Sequence, residues 1–533
     1  MQITSFRASR RALLVAGLAA AGLTERRLSG AVQSIPTLRL AGPVSGLPSL
    51  DPALSREIQS NYLLGQVFRG LVTLDDNLLP VPGLAESIER FDDGRRYRFV
   101  LRPQVAFQDG TMIEARHVAG SLARALNPAI AGGDANALAA RTYLGDIEGA
   151  GDVLAGAATD LQGVSAPDER TIEISLVDPS ATFLGRLTNI ATAIVDVDQI
   201  ASDADWSSHP NGSGPYAVTE WEWNDHLTLR AAGTWWAGTP AIEEVTVRLG
   251  AAAASPVNLY QAGDIDLIAS LAREDVALVK DPASGMTFGE LVETTSFSTV
   301  YIALGNQVAP LDDPDIRRAL QLAFPAARYA AGQFGEFVVP ATGLVPPGML
   351  GAAWDAQVPD VDLGAAEAAI ARSRYGTAAS VPTIELYAAD VGPIEALREA
   401  AAGVGLDVQV FEVPFPEFVQ GLAERRFPAY SIFWTADYPD PESLLGMLFR
   451  SSSPDNYTGY HNADFDDLLA TADISAGAER TEVLTAANQL LVDDGAVIAV
   501  YYPLGFTLVR EGLAPVEVTP LGVAGLETLR GAS

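Results

Sequence analysis

Few residues in this chain have types and spacings that could do chemistry. His117, His209, His226 and His461 are scattered without metal-ligand spacing. There is no cysteine, which excludes thiolate metal sites, disulfides and a cysteine nucleophile. No H-E-x-x-H, G-x-S-x-G or phosphate-binding glycine loop occurs, and Gly212-Ser213-Gly214 lacks the spacing of a nucleophile elbow. The acidic pairs Asp92-Asp93 and Asp312-Asp313 fall in turns, where carboxylates are solvated caps rather than the facing pair of a glycosidase. One carboxylate stands in a different setting. The run Ser431-Ile432-Phe433-Trp434-Thr435 reads as a strand entering a core; Pro439 and Pro441 stop it, and Asp437 follows its end beside Trp434, Tyr438 and Pro439. An unpaired charge there is costly, so Asp437 needs a cationic partner. An internal arginine or a bound ligand would each serve.

The elements that must position this carboxylate alternate between strand and helix, the pattern of an α/β fold. Thr37–Leu40 reads as a strand and Ile58–Leu74 as a helix with an apolar stripe. Tyr97, Phe99 and Leu101 alternate after the Asp93-Gly94 turn, the mark of a hairpin arm, and Ala115–Leu126 is a helix ended by Asn127-Pro128. Later come strands at Leu227–Arg230, Ile384–Tyr387 and Val408–Val413. The helix Phe415–Glu424 delivers the chain to the Asp437 stretch, and Val497–Tyr502 is a final strand.

The chain has 533 residues, 34 basic and 67 acidic, for a formal charge of −33, a balance that repels nucleic acid and anionic membrane surfaces. Ser9-Arg10-Arg11-Ala12-Leu13-Leu14 precedes the apolar run Val15–Leu23, too short to span a membrane, with small residues at 29–31. This reads as an export signal of twin-arginine type over residues 1–31, or an ordinary secretory signal with the same destination. No other long apolar segment follows, so no stable membrane insertion is expected and the mature chain is expected in the periplasm.

The order of motifs resembles the extracytoplasmic solute-binding proteins of peptide, dipeptide and nickel ABC importers, family 5. The resemblance runs through Pro82-Gly83-Leu84-Ala85-Glu86-Ser87, Phe107-Gln108-Asp109-Gly110-Thr111, Gly212-Ser213-Gly214-Pro215-Tyr216, Tyr260–Asp266, Pro310–Leu320 and Asn456–Asn462. It departs at His117, where the family usually has an acidic residue, and at Ala323-Phe324-Pro325, which delays the next helix. The resemblance implies a periplasmic binding protein-like α/β fold of class II: two lobes joined by a two-strand hinge, with an extra inserted domain. The expected division is 32–72, 206–268 and 501–533 for the first lobe, 73–205 for the insertion and 269–500 for the second lobe. The crossovers are expected near Ile265–Ala269 and Ala499–Pro503.

It further implies a peptide-like ligand held between the lobes by hinge closure, and a membrane permease with ATPase subunits as partner. No enzyme activity, cofactor or metal is expected. Trp434-Thr435-Ala436-Asp437-Tyr438 keeps the family's ligand-binding motif, apart from Phe433 in place of its glycine. Asp437 thus carries over as the anchor for a ligand α-ammonium, with Trp434 and Tyr438 beside it. Ile58 is the expected main-chain contact from the first lobe. Arg425 and Arg426 are candidates for the ligand's carboxylate end. Alternatives are an opine, a glutathione-like compound or an oligosaccharide, for which Trp221, Trp223, Trp235 and Trp236 offer platforms. A secreted hydrolase is the alternative from another class.

Overall fold

The computed structural model describes residues 35–529 apart from 282, 284–287, 350–359, 514, 515, 517 and 524. The expected export segment lies outside the described residues. Two sheets share one long strand. In the first, Ile35–Ala41 runs parallel to Ile242–Arg248, which pairs with His226–Ala231 and then Tyr216–Glu222. Alternate residues Leu38, Leu40, Val245, Val247, Leu227 and Leu229 are buried, as a half-covered sheet requires. In the second, Ser298–Leu304 is buried at every position and lies between Ala429–Thr435 and the long strand Val497–Val509. Its near-continuous run of apolar and β-branched residues is what a strand covered on both faces demands. Ile384–Ala388 and Val408–Glu412 complete that side in parallel.

The long strand joins the two halves. Its first part, Val497–Tyr501, pairs with Val300–Ala303, and Leu504–Val509 pairs with Glu290–Thr295. The chain therefore passes between the sheets at Ser296–Phe297 and again at Tyr502–Pro503. The first passage lies later than the Ile265–Ala269 expected from the sequence. There Leu267–Ile268 is tied to Leu40 on one side and to Leu508–Val509 on the other, inside the first sheet.

A third sheet, Ala85–Phe91, Arg96–Leu101, Thr171–Ser175 and Val164–Ser165, lies in the stretch between the first helix and Tyr216, with the helix Ala115–Ala125 beside it. His117 accounts for its own departure from the family pattern: its Nδ1 accepts the Glu114 N–H at 2.9 Å, closing a capping box on that helix. One hydrophobic core runs from this sheet (Tyr97, Phe99) and the nearby Phe183 to Tyr301 of the second sheet and to Tyr438 and Phe449 beyond it, so the insertion and the second lobe are in contact.

The first helix, Ile58–Val67, is shorter than its apolar stripe suggested. Phe68 is already extended, and Val72–Leu74 forms a strand with Pro80–Pro82. Gly212 and Gly214 press against the helix end: a Cβ on Gly214 would sit 2.6 Å from the Val67 carbonyl carbon. The Gly214 N–H donates to that carbonyl oxygen at 2.8 Å. The glycine motif thus fixes the helix whose other end carries Ile58. Pro325 delays the next helix as expected, which starts at Ala326.

Candidate functional site: a cavity beside the second sheet

The strand Ala429–Thr435 pairs along its whole length with Ser298–Leu304 on one side, and on the other only through Tyr430 to Tyr387. From Ser431 to Thr435 one edge of the strand has no partner strand among the described residues. Beyond Thr435 the Ala436 N–H donates to the Phe297 carbonyl at 2.8 Å, and the prolines then turn the chain into the helix Glu442–Phe449. Asp437 falls in this short connection, aimed by a strand paired along one edge before it and a buried helix after it.

The open edge borders a cavity of about 580 Å³, within the range that holds small ligands. Its walls include Ser55–Ile58 at the start of the first helix, Arg141–Tyr143 of the insertion, the strand running to Asp437, and the helix Phe415–Ala423. The Asp437 carboxylate is open to the cavity and otherwise enclosed by protein. Burial pushes it up to about 7; the Tyr143 hydroxyl, donating to it, opposes the rise, and the nearby Asp455 carboxylate adds to it. Among the described residues Asp437 has no ion-pair partner. Asp455 differs in this respect, since it accepts from Arg141 at 2.8 Å, from the Thr142 hydroxyl at 2.6 Å and from the Tyr457 hydroxyl at 3.2 Å. The adjoining cation is thus already spent, and Asp437 is left as an acceptor for an incoming donor.

Of the residues expected from the sequence, the structure brings Asp437, Trp434 and Ile58 to this cavity. Tyr438 points the other way: it is fully buried against Gly185 and donates its hydroxyl to Glu442. Arg425 and Arg426 do not line the cavity. Both are exposed just past the helix Phe415–Ala423, and Arg426 pairs with Glu424 at 2.8 Å. Trp221, Trp223, Trp235 and Trp236 are also absent from its walls. Sequence reasoning missed Tyr143, Arg141, Asp455, Arg56 and Asp390. Arg56 lines the cavity with its guanidinium donating only to the Asn136 carbonyl, and among the described residues it makes no ion pair.

His117, Asp196 and Asp198 bring ligand atoms within 4.8 Å of one another. Their lone pairs are occupied, however: Arg116 holds Asp198 at 2.7 and 2.9 Å, Asp196 caps the helix Val197–Ser202, and His117 closes the capping box. These residues do not line the cavity.

Two sheets joined by two strand passages, with a carboxylate-lined cavity walled by the second sheet, the insertion and the start of the first helix, define a two-lobed solute-capture protein. Residues 80–456 match the family model of bacterial extracellular solute-binding proteins, family 5, and the chain belongs to that family. It is 28% identical over 484 residues to the periplasmic oligopeptide-binding protein OppA of Escherichia coli, covering 87% of each chain. It is 26% identical over 461 residues to the glutathione-binding protein GsiB of Escherichia coli O1:K1, covering 84% of this chain and 85% of that one. In fold it is similar to the DppA periplasmic binding protein of Helicobacter pylori in complex with the peptide STSA. The TM-score is 0.76 at 19% identity, covering 93% of this chain and 98% of that one. No described helix is long and apolar enough to cross a membrane.

Proposed function

We propose that this chain is the periplasmic capture component of an ABC importer. It would bind a short peptide or peptide-like solute through its free amine and deliver it to a membrane permease with ATPase subunits. The segment Ser9–Leu23 would export it, and the jaws would close by hinging at Ser296–Phe297 and Tyr502–Pro503. The observation that carries the reading is Asp437, an enclosed carboxylate with no cation paired to it among the described residues, opening into the cavity. An ammonium supplies both the charge and the donors it lacks. The free edge from Ser431 to Thr435 supports a peptide in particular, since an extended chain can add there as a strand through main-chain hydrogen bonds.

The unpaired Arg56 in the same cavity favours, as a second reading, a ligand that also carries a carboxylate, a glutathione-like compound among them. Calorimetry with free and N-acetylated peptides tests the main reading. Asp437→Ala should weaken binding of the free-amine ligand by about 2 kcal/mol or more. Equal binding of acetylated and free peptides, or unchanged affinity in the variant, would remove the assignment.

A further inference from the structure

Exposed large apolar side chains are scattered over the described surface, but four of the thirteen gather on one cavity. Ile58 is 51% exposed, Phe415 65%, Val419 39% and Phe433 52%, and all four line the space that Asp437 opens into. They come from three separate parts of the chain: the start of the first helix, the helix Phe415–Ala423 and the strand Ala429–Thr435. That helix carries a single apolar stripe, Phe415, Phe418, Val419 and Leu422. Its Phe418–Leu422 half is buried in the core, whereas the Phe415–Val419 half, one turn apart on the same face, overhangs the cavity. Phe433 faces it from the open-edged strand, opposite the buried Val300, which also lines the cavity. An apolar stripe that runs past the core into a ligand cavity leaves surface in water that only an occupant can cover.

The geometry points to an apolar subsite formed by Phe415, Val419, Phe433 and Ile58 that takes an aromatic or branched aliphatic side chain of the bound solute. It rests on the peptide reading above, because the cavity shared with Asp437 makes the occupant a side chain of the same ligand. The open strand edge beside Phe433 would present alternate side chains of an extended peptide to opposite faces, one of them toward this wall.

The test uses three series of free-amine tripeptides, in which phenylalanine, leucine or serine replaces each residue of trialanine in turn, with N-acetylated controls, titrated by calorimetry. At one of the three positions phenylalanine and leucine should bind at least about tenfold more tightly than serine. The double variant Phe415→Ser, Val419→Ser should reduce that preference to less than about threefold. Both positions are exposed, and a cooperative thermal transition reports that the variant is folded. If free-amine peptides bind but no position prefers an apolar side chain, the subsite is refuted and the peptide reading stands. A preference that survives the double variant refutes it equally. If no peptide binds, acetylated or free, the peptide reading fails and the subsite falls with it.

Discussion

Two carboxylates five residues apart, Asp437 and Glu442, sit on either side of Tyr438 in nearly the same apolar surroundings, yet in opposite electrostatic states. Glu442 is buried, and burial alone would push it up. Arg186, at 3.2 Å, and the Tyr438 hydroxyl more than offset that and leave it below the usual carboxylate range. Asp437 lacks any such cation and is pushed up to about 7. The difference separates a structural charge from a functional one. Glu442 ties the second lobe to the insertion through Arg186, Thr182 and Tyr438, all within the protein. Asp437 is left incomplete, and the missing partner must come from outside. A folded chain tolerates that incompleteness only where the carboxylate can hold a proton or reach water, and the cavity provides both.

The comparison is broken most severely on the Glu442 side. Arg186→Met leaves the Glu442 charge buried without its cation, at a cost of about 3–5 kcal/mol. Denaturant unfolding should show the loss, and adding Glu442→Gln should restore much of it, because the second change removes the stranded charge. A small loss in the single variant would mean that the pair does not hold the insertion to the second lobe.

On the Asp437 side the expected outcome is inverted. Raising a carboxylate from 3.8 to about 7 costs the empty folded state on the order of a few kcal/mol at neutral pH. Asp437→Asn removes that cost and keeps the shape. The empty variant should therefore melt at a higher temperature than the native protein at pH 8, while its affinity for a free-amine ligand falls by about 2 kcal/mol or more. A variant that loses stability and binding together would make Asp437 a structural residue like Glu442.

The Asp437 half of this contrast was legible in the sequence; the Glu442 half was not, and that has a physical reason. The strand Ile432–Thr435 followed by an acid and two prolines marks Asp437 locally, because strand propensity, a stop signal and a charge share a few adjacent positions. Whether that acid has an internal partner is decided by Tyr143, Arg141 and Asp455, and the first two arrive from almost three hundred residues earlier through the insertion. No local period encodes such a meeting. Tyr438 and Asp437 are neighbours in sequence, so both looked like site residues, but successive side chains leave a turn in different directions and only one enters the cavity. The adjacent Arg425 and Arg426 follow the helix Phe415–Ala423 onto the exterior, where one pairs with Glu424. That same helix did carry a readable signal, an apolar stripe continuing through Phe415 and Val419 at its exposed end. The position of the first crossover depends on which strand Leu267–Ile268 joins, a long-range pairing with Leu40 and Val509.

The pH dependence sharpens the comparison further. Asp437 binds a proton at a higher pH when folded than when unfolded, so in the empty protein it contributes stability fully present below about pH 4 and lost as the pH rises through 7. Glu442, held below its ordinary value, makes no such change between pH 5 and 8. The native protein minus Asp437→Asn should therefore show a stability difference that grows between pH 5 and 8. Ligand affinity has the opposite sign. An ammonium pairs with the ionised form, so affinity should fall as the pH drops below 7, approaching about tenfold per pH unit, with proton release on binding. Calorimetry in buffers of different ionisation enthalpy reads that release directly. Binding without proton release at pH 6 would show that the ligand's amine is not held by Asp437.

The smallest effect tests the group that, among the described residues, compensates Asp437. The Tyr143 hydroxyl donates to the ionised carboxylate and holds its pKa below where burial alone would place it. Tyr143 is itself buried, and burial and the Asp437 charge both push its own pKa upward, so it stays a donor throughout the working range. Tyr143→Phe removes that hydrogen bond with little change of shape, which costs the ionised acid about 1–2 kcal/mol. The midpoint of proton release on ligand binding should rise by about one pH unit, and affinity at pH 7 should fall by roughly fivefold. At pH 9, where Asp437 is ionised in either protein, the two affinities should converge to within the direct worth of one hydrogen bond. Equal penalties at pH 7 and pH 9 would show instead that Tyr143 touches the ligand itself and acts independently of the carboxylate.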